Sequence, residues 1–239
     1  MNLERFEKSV SSLENLLREE GFYKNPTQFE IDVFVRLMDF QSQVVIITAR
    51  LEEDIVENES FTKYIFERIR EISETEIEKY SLTLPKLMLD LSDFYIYTRV
   101  FLDTLAVCIR HSFKNAGNRN WKIIAKKDKS INCFLNKNKM ETYKKKVDFN
   151  FFEGLEKKLT WIGDFRKSRD GLLHEYFHFV FTTTRQGDLG FDIMDRRKTS
   201  WGTDTVKGIL PELQNTIDNL TDLIAYLLAN LPKRTEEKL

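Results

Sequence analysis

Apolar positions recur at steps of three and four along most of this chain. That spacing puts side chains on one face of an α-helix. Leu3, Phe6, Val10, Leu13, Leu16 and Leu17 predict a first helix over residues 2–20. Gly21 stops it, and Asn25–Pro26 restarts the chain. Thr27 with Glu30 has the form of a capping box. Phe29, Val33, Leu37, Phe40, Val44 and Ile47 then predict a second helix from residue 27 to the mid-50s. A third, highly charged helix is expected from Asn58 to about Glu78, with Phe61, Ile65, Ile69 and Ile72 on one side. Leu84–Pro85 marks a boundary, and Pro85 suits the first turn of a long helix reaching about His111. Its apolar run from Tyr95 to Ile109 places it centrally in the core.

Residues 114–147 lose the period. The pieces Trp121–Ala125 and Ile131–Leu135 read as small helices under a loop. Asp148 to about Phe165 is again helical, with Phe149, Phe152, Leu155, Leu159 and Ile162 inward. At Phe177, Phe179 and Phe181 the period changes to two, and β-branched residues follow. With a turn at 185–188 and a return over Leu189–Met194, this predicts a β-hairpin. A last helix, Val206 to Leu231, turns Leu210, Leu213, Ile217, Leu220, Ile224 and Leu227 inward. The expected fold is mainly α: a helical bundle with a long central helix and a small hairpin near residues 177–194. Residues 1–84 supply N-terminal helices and residues 85–239 the main helical domain, together one structural unit.

Composition adds exclusions. The 239 residues are 41% hydrophobic and 31% charged, a globular balance with enough chain for a core. Nine Gly and four Pro are too few for a turn-dense β sandwich or barrel. Two cysteines, Cys108 and Cys133, make neither a disulfide framework nor a thiolate zinc cluster and read as reduced thiols. The N-terminus is amphipathic and charged, without the apolar stretch of a signal peptide, and no apolar run reaches about 20 residues. A cytoplasmic protein that does not enter membranes is expected.

The net charge of −1 hides an asymmetry. Residues 1–113 carry 13 basic and 21 acidic residues, residues 114–146 carry 11 and 2, and residues 147–239 carry 13 and 15. One 33-residue insert therefore holds the positive field, the footprint of a phosphate-backbone contact. Lys126, Lys127, Lys144, Lys145 and Lys146 are its candidate RNA-binding residues, and Trp121 and Trp201 are rings able to stack on bases. The same lysines would equally suit a solvated insert.

Two overlapping motifs carry the chemistry. Arg169-Asp170 is followed by His174, an Arg-x4-His pattern in a helical chain. Here the sequence resembles the HEPN superfamily, compact helical bundles with an Arg–x4–6–His motif and a polar residue directly after the Arg. The segment DFYIYTRVFLDTLAV resembles the long helix that faces the motif in such bundles. The resemblance spans about residues 85–231. It implies a metal-independent endoribonuclease of a toxin or defence type, or a non-catalytic interaction module on the same bundle. It also implies a homodimer whose paired motifs form one cleft, RNA as partner, an antitoxin protein, and no cofactor. Arg169 and His174 would be the catalytic residues. Asp170 would orient one of them, Arg166 would extend the phosphate contact, and Asp103, a carboxylate inside an apolar stretch, would support the site through Arg169 or Arg99. The residue types fit the chemistry. A His can move protons near neutral pH, and an Arg can stabilise charge on phosphorane oxygens by bidentate contact. On a continuous helix, five residues separate two side chains by roughly 140°, so Arg169 must reach around or the helix must be interrupted.

The second motif, His174-Glu175-Tyr176-Phe177-His178, formally matches HExxH. On one helix, His174 and His178 would share a face and hold zinc, with Glu175 as base. A third ligand is required, and only Glu212 offers itself. The strand expected from Phe177 would end the helix and make the two imidazoles diverge.

Overall fold

The computed structural model describes residues 3–19, 28–68, 74–124, 130–173, 177–183, 189–195 and 207–233. These residues are mainly helical. In chain order they form α1 (Leu3–Glu19), α2 (Gln28–Arg68), α3 (Glu74–Asn115), a 3-10 turn (Trp121–Ile124), α4 (Asn132–Leu135), α5 (Lys137–Lys146), α6 (Phe149–Lys158) and α7 (Ile162–Leu173). The strands β1 (Phe177–Thr183), β2 (Leu189–Asp195) and β3 (Lys207–Gly208) follow, then α8 (Ile209–Asn230). β2 is the middle strand and pairs antiparallel with both others, Phe179 opposite Ile193 and Gly190 opposite Gly208. Among the described residues, no helix is long and apolar enough to cross a membrane.

Helix ends differ from the sequence expectation in three places. α2 runs through residues 56–60, where a break was expected. It contains neither Gly nor Pro, and the buried positions Leu51, Ile55 and Asn58 continue one stripe across the expected gap. α3 likewise begins at Glu74 and passes through Pro85, so Leu84–Pro85 is not a helix boundary. A proline inside a helix costs about 3 kcal/mol. Leu87, Leu91, Phe94 and Tyr95 are all buried beyond it. At roughly 1.5–3 kcal/mol each, their burial outweighs the penalty. The helix expected over 148–165 is instead two, α6 and α7. Leu159 N–H bonds Glu156 O, and the Thr160 hydroxyl bonds Lys157 O, which tightens and ends α6. Leu159 and Ile162 remain buried across the break, but Phe149 is 57% exposed rather than inward.

The chain forms two compact units. One comprises residues 1–42, 98–162 and 217–239; the other comprises 43–97 and 163–216. In the first, α1 buries Phe6, Val10, Leu13 and Leu17, with Phe6 edge-on to Phe101 of α3. An aromatic cluster joins α3, α4, α5 and α6: Phe152 stacks on Phe113 and Phe134 and meets Tyr143 and Phe151 at centroid separations of 5.1–6.0 Å. α8 joins it through Tyr226, whose hydroxyl donates to Phe151 O at 2.6 Å. Gly154 permits that approach, since a Cβ there would lie 2.7 Å from the Tyr226 ring. α5 was not foreseen. Asn136 caps it by accepting from Lys139 N–H, and Met140 and Tyr143 are its buried side. In the second unit, Val44, Ile47, Leu51 and Ile55 of α2 and Leu87, Leu91, Phe94 and Tyr95 of α3 are buried, with Tyr95 5.2 Å from Phe165 of α7.

Candidate functional site

α7 carries Arg169 and Asp170, the first part of the Arg-x4-His motif. Asp164 in its first turn suits the helix dipole and pairs with Lys167 at 2.9 Å. Phe165 and Ser168 are the buried face. Arg166 is exposed and Arg169 half-buried. Asp170 lies on the same helix, which is described to Leu173, while His174 and Glu175 lie outside the described residues. β1 begins at Phe177. His178 therefore stands in a strand. This removes the shared helical face that an HExxH zinc site needs. Glu212, the candidate third ligand, is on α8 next to Ser168, whose hydroxyl lies 3.5 Å from its carboxylate.

Asp103 belongs to the first unit, and its partner is Arg99. The Arg99 Nε lies 3.3 Å from Asp103 Oδ2, while Asp103 Oδ1 accepts from the Ile131 N–H at 2.8 Å. Arg99 also donates to Ser130 Oγ at 2.7 Å and Asn132 Oδ1 at 3.1 Å. Together the two side chains pin residues 130–132 onto α3, and this is the work the carboxylate does there.

Of the candidate lysines, Lys126 and Lys127 lie outside the described residues. Lys144 is 10% exposed and paired with Glu156 at 2.6 Å and Glu141 at 2.9 Å. The Glu156 hydrogen bond, then that of Glu141, holds the Lys144 ammonium above its usual range. It ties α5 to α6 rather than facing a ligand. Lys145 and Lys146 are exposed and make no ion pair among the described residues. Trp121 is half-buried, with Arg110 and Lys114 of α3 at 5.7 and 5.9 Å from its ring centre. Trp201 lies outside the described residues. Cys108 and Cys133 are buried thiols outside any disulfide, and burial pushes the Cys108 thiol up to about 12, as suits packed core rather than a nucleophile.

One polar cluster escaped sequence reading. On α2, Arg50 and Asp54 are one turn apart; on α3, Lys86 and Asp90 are too. They pair crosswise, Arg50 with Asp90 at 3.1 Å and Lys86 with Asp54. Both aspartates are 3% exposed. The signal was present as a cation four residues before a buried-stripe Asp on both helices. Burial pushes the Asp90 carboxyl above the usual carboxylate range, the Arg50 guanidinium opposes this, and a hydrogen bond with Asp54 adds to the rise. Folding therefore favours protonated Asp90. That stability is present in full below the carboxylate range of the unfolded chain and is lost as pH rises through the higher folded value. Asp90→Asn holds the neutral state at every pH. Thermal melts should show the variant gaining on wild type as pH rises from the ordinary carboxylate range through the higher folded value of Asp90. A gap independent of pH would remove the protonated Asp90 from this account.

No family model, no curated protein and no solved structure matches the chain.

Proposed function

We propose that this chain is an HEPN-type RNA-directed protein, a metal-independent endoribonuclease of a toxin or defence type. The observation that supports the reading is the Arg169-x4-His174 spacing of the sequence, with Arg169 on α7 in a mainly helical chain. In this reading α3 supplies the long helix facing the motif, and β1 with β2 forms a hairpin appended to the bundle. His174 takes the proton of the RNA 2′-OH as its oxygen attacks the adjacent phosphorus, or donates one to the departing 5′-oxygen. Arg169 stabilises the charge on the phosphorane oxygens, with Arg166 available one turn earlier. The products are a 2′,3′-cyclic phosphate and a 5′-hydroxyl.

The test is incubation of labelled single-stranded RNA with the full chain in EDTA, followed by identification of the product ends. Cyclic phosphate ends support the reading, and intact RNA refutes catalysis. A non-catalytic interaction module on the same bundle is then the reading left standing. The composite cleft requires two copies, related by an isologous interface. Light scattering at micromolar concentration should give about twice the 28.4 kDa chain mass. A strict monomer would eliminate the composite cleft. An antitoxin partner belongs to the same proposal and would be sought by co-purification.

A further inference from the structure

Phe149 stands out on α6. Phe151 and Phe152 beside it are 4% and 0% exposed, whereas Phe149 is 57% exposed. Asp148 fixes its position by capping α6, accepting from Phe151 N–H at 2.9 Å. Three residues earlier, α5 ends in the exposed pair Lys145 and Lys146. There the Asn120 side chain donates to Lys146 O at 2.6 Å, fastening the 116–124 turn to the end of α5. That turn carries Trp121 and the exposed Arg119 and Lys122. Arg110 and Lys114 hold the Trp121 ring from α3. So two aromatic rings and four exposed cations lie on neighbouring segments of one compact unit, joined by the Asn120–Lys146 contact. None of those four cations is in an ion pair among the described residues, unlike Lys144 on the same helix.

We infer that Trp121 and Phe149 form a stacking platform for unpaired bases of a single-stranded RNA, whose phosphates are held by Arg119, Lys122, Lys145 and Lys146. The choice of RNA rests on the proposed function; the platform itself rests on this geometry. Lysines alone would suit any polyanion. Rings set among them, Phe149 exposed and Trp121 half-buried, suit a ligand that alternates phosphates with flat faces. A duplex hides those faces in its own stack, so single strands are preferred.

The test is anisotropy over a salt series with a 2′-O-methyl oligoribonucleotide, single-stranded or annealed to its complement. It lacks the attacking hydroxyl, so binding is read apart from cleavage. Phe149→Ala should weaken single-strand binding about 10-fold at every salt concentration, and Phe149→Tyr should retain it. Lys145→Gln with Lys146→Gln should flatten the slope of log affinity against log salt by about 1.4. Because Phe149 is already exposed, the variants should keep the wild-type helical spectrum. Unchanged affinity in Phe149→Ala overturns the platform. So does a duplex bound as tightly as the single strand, or binding of anionic phosphatidylserine vesicles without binding of the oligonucleotide. If the expected binding is found and unmodified RNA is not cut, the platform stands and the nuclease reading falls.

Discussion

His174→Ala should lower cleavage of single-stranded RNA by roughly 10²–10⁴-fold while leaving binding nearly unchanged. The size follows from the role. A positioned imidazole that moves a proton in the transition state contributes in that range, and its loss does not touch phosphate contacts made elsewhere. Arg169→Ala should also abolish cleavage, because the charge that grows on the phosphorane loses its bidentate partner. Arg169→Lys should rescue little, since an ammonium lacks the planar fork. Single-turnover rates with product-end analysis measure all three. Equal losses of binding and cleavage would indicate that the motif is part of a docking surface instead. Arg166→Ala, on an exposed helical position, should weaken the substrate contact without abolishing the chemistry.

Phe152→Ala should cost the fold about 3–5 kcal/mol. The ring is 0% exposed and lies against Phe113, Phe134, Tyr143 and Phe151. Removing it leaves a cavity walled by rings from four helices, which cannot all move inward together. In a chain of this length, that loss corresponds to a drop of about 6–20 °C in melting temperature. Calorimetry measures it, and a shift under 2 °C would mean that the cluster repacks, an order-of-magnitude bound set by the same scaling. Phe152→Leu keeps most of the volume and should cost less than half as much, because volume-conserving swaps are tolerated best.

The parts that local periodicity controls were legible in the chain itself. The three-and-four spacing of Phe6, Val10, Leu13 and Leu17 marks the buried face of α1, and the spacing of Leu213, Ile217, Leu220, Ile224 and Leu227 marks that of α8. A helix repeats its face every 3.6 residues, so one amphipathic stripe is enough to declare it. The Arg-x4-His motif was also legible, as residue types and spacing alone.

Tertiary packing decided the remainder. Pro85 and the 56–60 segment argued locally for helix ends, yet both helices run through, with Leu51, Ile55 and Asn58 buried in α2 and Leu87, Leu91, Phe94 and Tyr95 buried in α3. Phe149 had the period of a core residue, yet it stands exposed at the first position of α6. Lys144, Lys145 and Lys146 are identical in sequence terms. Glu156, twelve residues on, makes the first a buried tie and leaves the other two facing solvent. Asp103, for which Arg169 and Arg99 both stood open as partners, pairs with Arg99 and holds the Ile131 N–H. Asp54 and Asp90, unremarkable one at a time, became a buried pair only when α2 and α3 met. Short-range periodicity records what a residue's own helix wants, whereas a charge's role depends on which distant element supplies its partner, and that is settled only by packing.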